Sequence, residues 1–150
     1  LQKLGTPYAV IGHSMGANAM THVLSSRWEG PAVERFVALA PPTDPPSFFY
    51  YFCQKLKLSE ARAKELIAMT QEITGFAPQE FVMFDRFAEL KAEKVMVAYD
   101  KDDQTVPRRE MLKLKTAWQG AEFIETEGLK HNGLLKDHAL HTQILHFLAA

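Results

Sequence analysis

Four short apolar runs punctuate the chain, and three of them lead through a turn into apolar positions at helical spacing. The first, Ala9-Val10-Ile11, lies in a strand predicted over 7–11 and opened by Pro7. It reaches Gly12-His13-Ser14-Met15-Gly16 and then Ala17, Ala19, Met20, Val23 and Leu24. That order predicts strand, tight turn and helix, the helix running from Ser14 to about Arg27 before Trp28-Glu29-Gly30-Pro31. The second run, Phe36–Ala40, is continuously apolar, as in a strand buried on both faces of a parallel sheet, and it stops at Pro41–Pro46.

Residues 47–90 lack strand signal and read as helical. Phe48, Phe49, Tyr50, Tyr51 and Phe52 form an aromatic block, with Phe48, Phe52 and Leu56 at i, i+4 and i+8. Ser59 predicts the N-cap of a helix carrying Leu66, Ile67, Met69 and Ile73 and ending near Gly75. Pro78 opens a third, short helix with Phe81, Phe84 and Phe87. Strand signal returns at Lys94–Tyr99, followed by the charged loop 100–105 and a helix over Arg108–Trp118. Glu122–Glu125 is a last short strand, followed by a glycine-flanked loop at 128–133. The final helix, over about Asp137–Leu148, has Leu140, Ile144, Leu145 and Leu148 on one stripe. The alternation predicts an α/β fold of about four parallel strands flanked by helices. Residues 1–150 then form one domain, with a helical cap or lid inserted at about 45–90.

Composition narrows the functional classes. The chain is 47% hydrophobic and 23% charged, with a formal net charge of −1, as expected of a globular domain with one core. Without a basic cluster it offers no electrostatic footprint for nucleic acid or an anionic membrane surface. No apolar run approaches the ~20 residues that a membrane span needs. The single cysteine, Cys53, fits a reducing compartment, so a cytoplasmic location is expected.

The chemistry-bearing residues fall where such a sheet concentrates function, in the loops beyond the carboxyl ends of its strands. Ser14 follows the first strand, Asp103 the third and His131 the fourth, all on one sheet edge. Gly12 and Gly16 are expected to let the turn around Ser14 tighten where a side chain would clash. A serine hydroxyl needs a neighbouring base to become a nucleophile. A histidine can take its proton and return it to the leaving group. A carboxylate behind the imidazole fixes its tautomer and stabilises the cation that forms. Asp103 competes for the last role with Asp100 and Asp102 in the same loop and with Asp44 after the second strand. It is favoured because it lies three residues before Val106, an anchor for the loop's far side. Among the histidines, His131 alone follows a predicted strand directly. His22, His138, His141 and His146 fall on helices, and His13 lies inside the serine turn. Their spread suggests no metal site.

Three segments together, Gly12-His13-Ser14-Met15-Gly16, Asp103-Gln104-Thr105-Val106-Pro107 and Gly128–Leu135, resemble the α/β-hydrolase superfamily. The resemblance covers essentially the whole chain but only the C-terminal half of that fold, from the nucleophile elbow onward. Ala40–Asp44 and His131–Asp137 resemble small bacterial serine hydrolases. One departure is Ala17, where many members carry a further glycine. The resemblance implies Ser14 as nucleophile, Asp103 as acid, His131 as base and the Met15 backbone N–H as one oxyanion donor. It also implies hydrolysis of carboxylic esters, or related acyl compounds, through an acyl-serine intermediate without a cofactor.

Two further expectations follow. His13, Phe48 and Phe52 are candidates for lining the pocket of a small-molecule acyl substrate. The family's further strands, and the loop giving its second oxyanion donor, precede the nucleophile strand. The edge Tyr8–Ile11 is therefore expected to pair with another copy of the chain or with a missing N-terminal segment. The alternative function is a non-catalytic half-domain that self-associates or binds a partner or small molecule.

Overall fold

The computed structural model describes residues 5–150. The four apolar runs form one sheet in the order β1 (Ala9–His13), β2 (Val33–Leu39), β3 (Ala92–Asp100) and β4 (Glu122–Thr126), with every neighbouring pair parallel. Val10 stands beside Phe36, Phe36 beside Val95, and Val97 beside Phe123. Side chains alternate between the faces of a strand. Phe36, Ala38, Val95 and Val97 thus join one core layer, while Val37, Leu39, Met96 and Ala98 join the other. The first layer is closed by α1 (Met15–His22) through Ala17, and by α4 (Arg108–Ala117) through Met111 and Leu114. The second is closed by α6 (His138–Ala149) through Leu140, Ile144 and Phe147.

Between β2 and β3 the chain forms α2 (Pro45–Lys55) and α3 (Glu60–Thr74), followed by two single 3-10 turns, Pro78–Phe81 and Phe87–Glu89. Pro45 and Pro46 end the apolar run and also open α2, since proline at the first helical positions loses no hydrogen bond. α3 stops at Gly75, whose φ of 74° ends the helix in the left-handed conformation. α6 begins at Asp137, whose carboxylate accepts from the Leu140 N–H at 2.7 Å.

Several predicted boundaries move. β1 runs two residues further, to His13, so the strand passes straight into the serine turn. The first helix changes at Val23 to a wider turn over Val23–Arg27, in which the Trp28 N–H donates to the Val23 carbonyl, five residues back. The segment after Pro78 is too short and irregular for a third helix. His131 sits not in open loop but in the single turn α5 (Lys130–Gly133). Leu145 leaves the predicted inner stripe of α6 for solvent, its place taken by Phe147. On α3 the buried or half-buried line is Ala63, Leu66, Ile67 and Thr70, whereas Met69 and Ile73 face water.

β1 is a terminal strand of the described sheet, and Ile11 at its middle is 52% exposed. Among the described residues no helix is long and apolar enough to cross a membrane.

Candidate active site

Ser14 occupies the single residue between β1 and α1, at φ 53° and ψ −129°. A non-glycine residue with positive φ is uncommon and costs on the order of 1–3 kcal/mol. The surroundings hold it there. Its N–H donates to the Leu39 carbonyl of β2 at 2.8 Å, and its own carbonyl accepts from the N–H groups of Ala17 and Asn18. Gly12 is what allows the reversal: a Cβ at this position would lie 2.6 Å from the Ala17 Cα and 2.7 Å from its nitrogen. Gly16 differs from expectation, because a Cβ there meets nothing within 4 Å. Only the first glycine is required by packing among the described residues.

The loops after β3 and β4 bring two side chains to this serine. The Ser14 hydroxyl lies 2.9 Å from His131 Nε2, and His131 Nδ1 lies 2.7 Å from Asp103 Oδ2. The remaining Asp103 oxygen, Oδ1, accepts from the N–H groups of Thr105 and Val106 at 2.7 and 3.0 Å. An ionised carboxylate only accepts. Facing that carboxylate, His131 Nδ1 is the donor, and in the neutral imidazole Nε2 is then the acceptor for the Ser14 hydroxyl. Asp103 is buried, and Val106 at 3% exposure anchors its loop as the sequence pattern suggests.

The competing carboxylates have other work. Asp44 caps α2, taking the Ser47 N–H and hydroxyl at 3.2 and 2.6 Å. Asp102 accepts from the Gly128 N–H at 3.0 Å. Asp100, wholly buried, is a structural tie. It accepts from the Asp102 N–H at 3.0 Å in its own loop. It also reaches across to the Thr126 hydroxyl at 2.8 Å and the Leu129 N–H at 3.0 Å, next to the turn that carries His131. One carboxylate thus fixes the acid loop against the histidine loop. Lys130, immediately before His131, has φ 58°, so a second backbone position is held in the left-handed region at the site.

Burial raises the Asp100 carboxyl, but hydrogen bonds from Thr126, Leu129, Asp102 and Lys130 outweigh it and hold the group below its ordinary value. A folded-state pKa below the unfolded one stabilises the fold above the unfolded value of about 4 and loses that stabilisation as pH falls through the folded value. Acid unfolding followed by circular dichroism should therefore show a shallower loss of stability below about pH 4 in Asp100→Asn. At neutral pH that variant should be about 1.5–3 kcal/mol less stable, because its donors lose a charged acceptor.

His13 Nε2–H donates to the His131 carbonyl oxygen at 3.0 Å, and the two rings lie 4.9 Å apart, so it braces the histidine turn from the serine side. The Phe48 and Phe52 rings stack on one another, 6.3 Å apart, and are 37% and 48% exposed. A cavity of about 400 Å³ adjoins the serine turn through Met15, and the aromatic-block residue that reaches it is Phe49. The helical period accounts for this: positions 45, 49 and 53 face inward, while 48 and 52 face out. Among the described residues no three His, Cys, Asp or Glu side chains are placed to hold a metal ion.

No family model and no curated relative matches the sequence. Solved structures do. The esterase domain of a Rhodothermus marinus protein superposes with a TM-score of 0.62 at 18% identity, over 95% of this chain and 57% of that one. A monoacylglycerol lipase from Paleococcus ferrophilus gives 0.61 at 18% identity, over 98% and 69%. The mouse α/β-hydrolase domain-containing protein 10 gives 0.62 at 17% identity, over 95% and 60%. The chain spans less than two thirds of the length of the first such structures it matches. With four parallel strands, flanking helices and a serine at the first strand-to-helix turn, the chain has the α/β-hydrolase fold, over part of that fold's length.

Proposed function

We propose that the chain is the catalytic part of a serine hydrolase acting on carboxylic esters or related acyl compounds, with Ser14 as nucleophile, His131 as base and Asp103 as acid. The observation that carries this reading is the unbroken hydrogen-bonded line from the strained Ser14 through His131 to the buried Asp103. As Ser14 Oγ attacks an acyl carbon, its proton passes to His131 Nε2, and Asp103 stabilises the imidazolium through Nδ1–H. The carbonyl oxygen becomes an oxyanion beside the Met15 N–H. This is the first amide of α1, with no carbonyl one turn back to bond, at the positive end of the helix. His131 then gives the proton to the leaving alkoxide, and water hydrolyses the acyl-serine by the reverse relay. The names of the superposing esterase domain and monoacylglycerol lipase are consistent with an ester substrate.

Hydrolysis of p-nitrophenyl acetate by the purified chain tests the assignment. Ser14→Ala should reduce kcat by about 10⁶-fold. An unchanged rate in that variant would move the chemistry elsewhere.

The same reading assigns a partner strand to the free edge of β1, from a second copy of the chain or from polypeptide outside the described residues, because an exposed strand edge carrying Ile11 is an open pairing template. Sedimentation should show self-association of the 150-residue chain, and hydrogen exchange should show protected β1 amides. A monomer with rapidly exchanging amides at Ala9 and Ile11, whose N–H groups point away from β2, would instead leave that edge free.

A further inference from the structure

The cavity beside Met15 bears on the substrate. It lies under α2 and α3 and is lined by Met15 from the serine turn, by Phe49, Thr70 and Thr74 from the two helices, and by Phe76 and Phe81, with the buried Pro45 and Pro78 completing it. The two threonines are the only side chains there with polar atoms, and both hydroxyls are committed within their own helix. Thr70 Oγ1 donates to the Leu66 carbonyl at 2.7 Å. Thr74 Oγ1 donates to the Thr70 carbonyl at 2.7 Å and accepts from the Phe76 N–H at 3.2 Å. What they add to the cavity is therefore apolar. The far wall is fixed from behind by α1: Asn18 Nδ2 donates to the carbonyls of Pro42 and Phe81 at 2.8 and 2.7 Å, and the His22 ring packs on Phe81 and Phe76. The cavity is thus preformed, and a polar group entering it would give up water for no partner.

Position decides which part of an ester goes there. The leaving oxygen must reach His131 Nε2 for its proton, whereas the cavity touches the serine turn through Met15 and not through His131. The departing alcohol belongs on the histidine side, and the group that stays bonded to Ser14 belongs on the Met15 side. A cavity of roughly 150 Å³ accommodates benzene, so at that carbon density about 400 Å³ holds a chain of about ten or more carbons.

We infer that this cavity is the acyl-chain subsite, taking an unsubstituted hydrocarbon acyl group of medium length, with Phe49, Thr70 and Thr74 setting its depth; the inference rests on Ser14 being the nucleophile. The test uses Ser14→Ala protein labelled with ¹³C at its methionine methyl groups, the Met15 signal being assigned by its loss in Met15→Leu. Sodium octanoate should shift the Met15 methyl resonance saturably. Sodium acetate, too short to fill the cavity, and disodium octanedioate, polar at its far end, should not. Thr70→Phe, or Phe49→Trp if the first variant does not fold, should weaken octanoate binding about 10-fold or more by occupying the space. A Met15 resonance unmoved by octanoate, or moved equally by octanedioate, would overturn the assignment. Because the protein used has no nucleophile, that failure is separate from a failure of Ser14 to react.

Discussion

Asp103→Asn should slow acylation of Ser14 by about 10⁴-fold while leaving the fold intact. The size of the effect follows from who donates to whom. In the native chain Asp103 Oδ1 takes two backbone N–H groups and Oδ2 takes the His131 Nδ1–H. In the amide, Oδ1 keeps the N–H groups of Thr105 and Val106, because an NH₂ there would oppose two donors. The NH₂ then faces His131 Nδ1, which must become the acceptor, and the imidazole proton moves to Nε2. A protonated Nε2 donates to the Ser14 hydroxyl and cannot take its proton. The variant should therefore show a near-native melting curve with almost no acylation, measured as pseudo-first-order kinetics with an excess of a reactive aryl ester. A rate within tenfold of native would mean that Asp103 is not the group behind the base.

The second large effect is structural. Gly12→Ala places a methyl group 2.6 Å from the Ala17 Cα, which is backbone and cannot turn aside. Either β1 or α1 must shift, and α1 is anchored by the fully buried Ala17 and Asn18. We expect destabilisation of about 3 kcal/mol, near the upper end for overpacking, along with loss of the Ser14 geometry. Gly16→Ala serves as its control, since the added methyl meets nothing and alanine favours the helix by up to about 1 kcal/mol. Chemical denaturation of the two variants should separate them clearly. Equal stabilities would show that the turn is not pinned by the contact between Gly12 and Ala17.

The parts of this fold most legible in the sequence were those dictated by burial. β2 and β3, apolar on both faces, announced a parallel sheet. The turn at Ser14 and the loops after β3 and β4 could be placed on one edge from chain order alone. Less legible were features in which a side chain contradicts its usual class. Thr70 and Thr74 read as polar, yet with their hydroxyls bonded back onto α3 they line an apolar cavity, while Met69 and Ile73 face water. Phe48 and Phe52 stood out as aromatic, but the phase of α2, set by the Asp44 cap and the proline pair, turns Phe49 inward instead. Asp100 looked like one more acid in a solvated loop, and only the fold shows that it binds two loops together. His13 braces the His131 turn through a contact 118 residues away in sequence, a separation that no local pattern encodes.

The central claim, that Ser14 is an activated nucleophile, is tested most directly by intact-protein mass spectrometry after brief exposure to an alkyl fluorophosphonate at neutral pH. The hydrogen-bonded line to His131 and Asp103 predicts a single phosphonyl adduct that maps to Ser14 on peptide sequencing and is absent from Ser14→Ala. A native chain that stays unmodified, or an adduct that persists in Ser14→Ala, would contradict it.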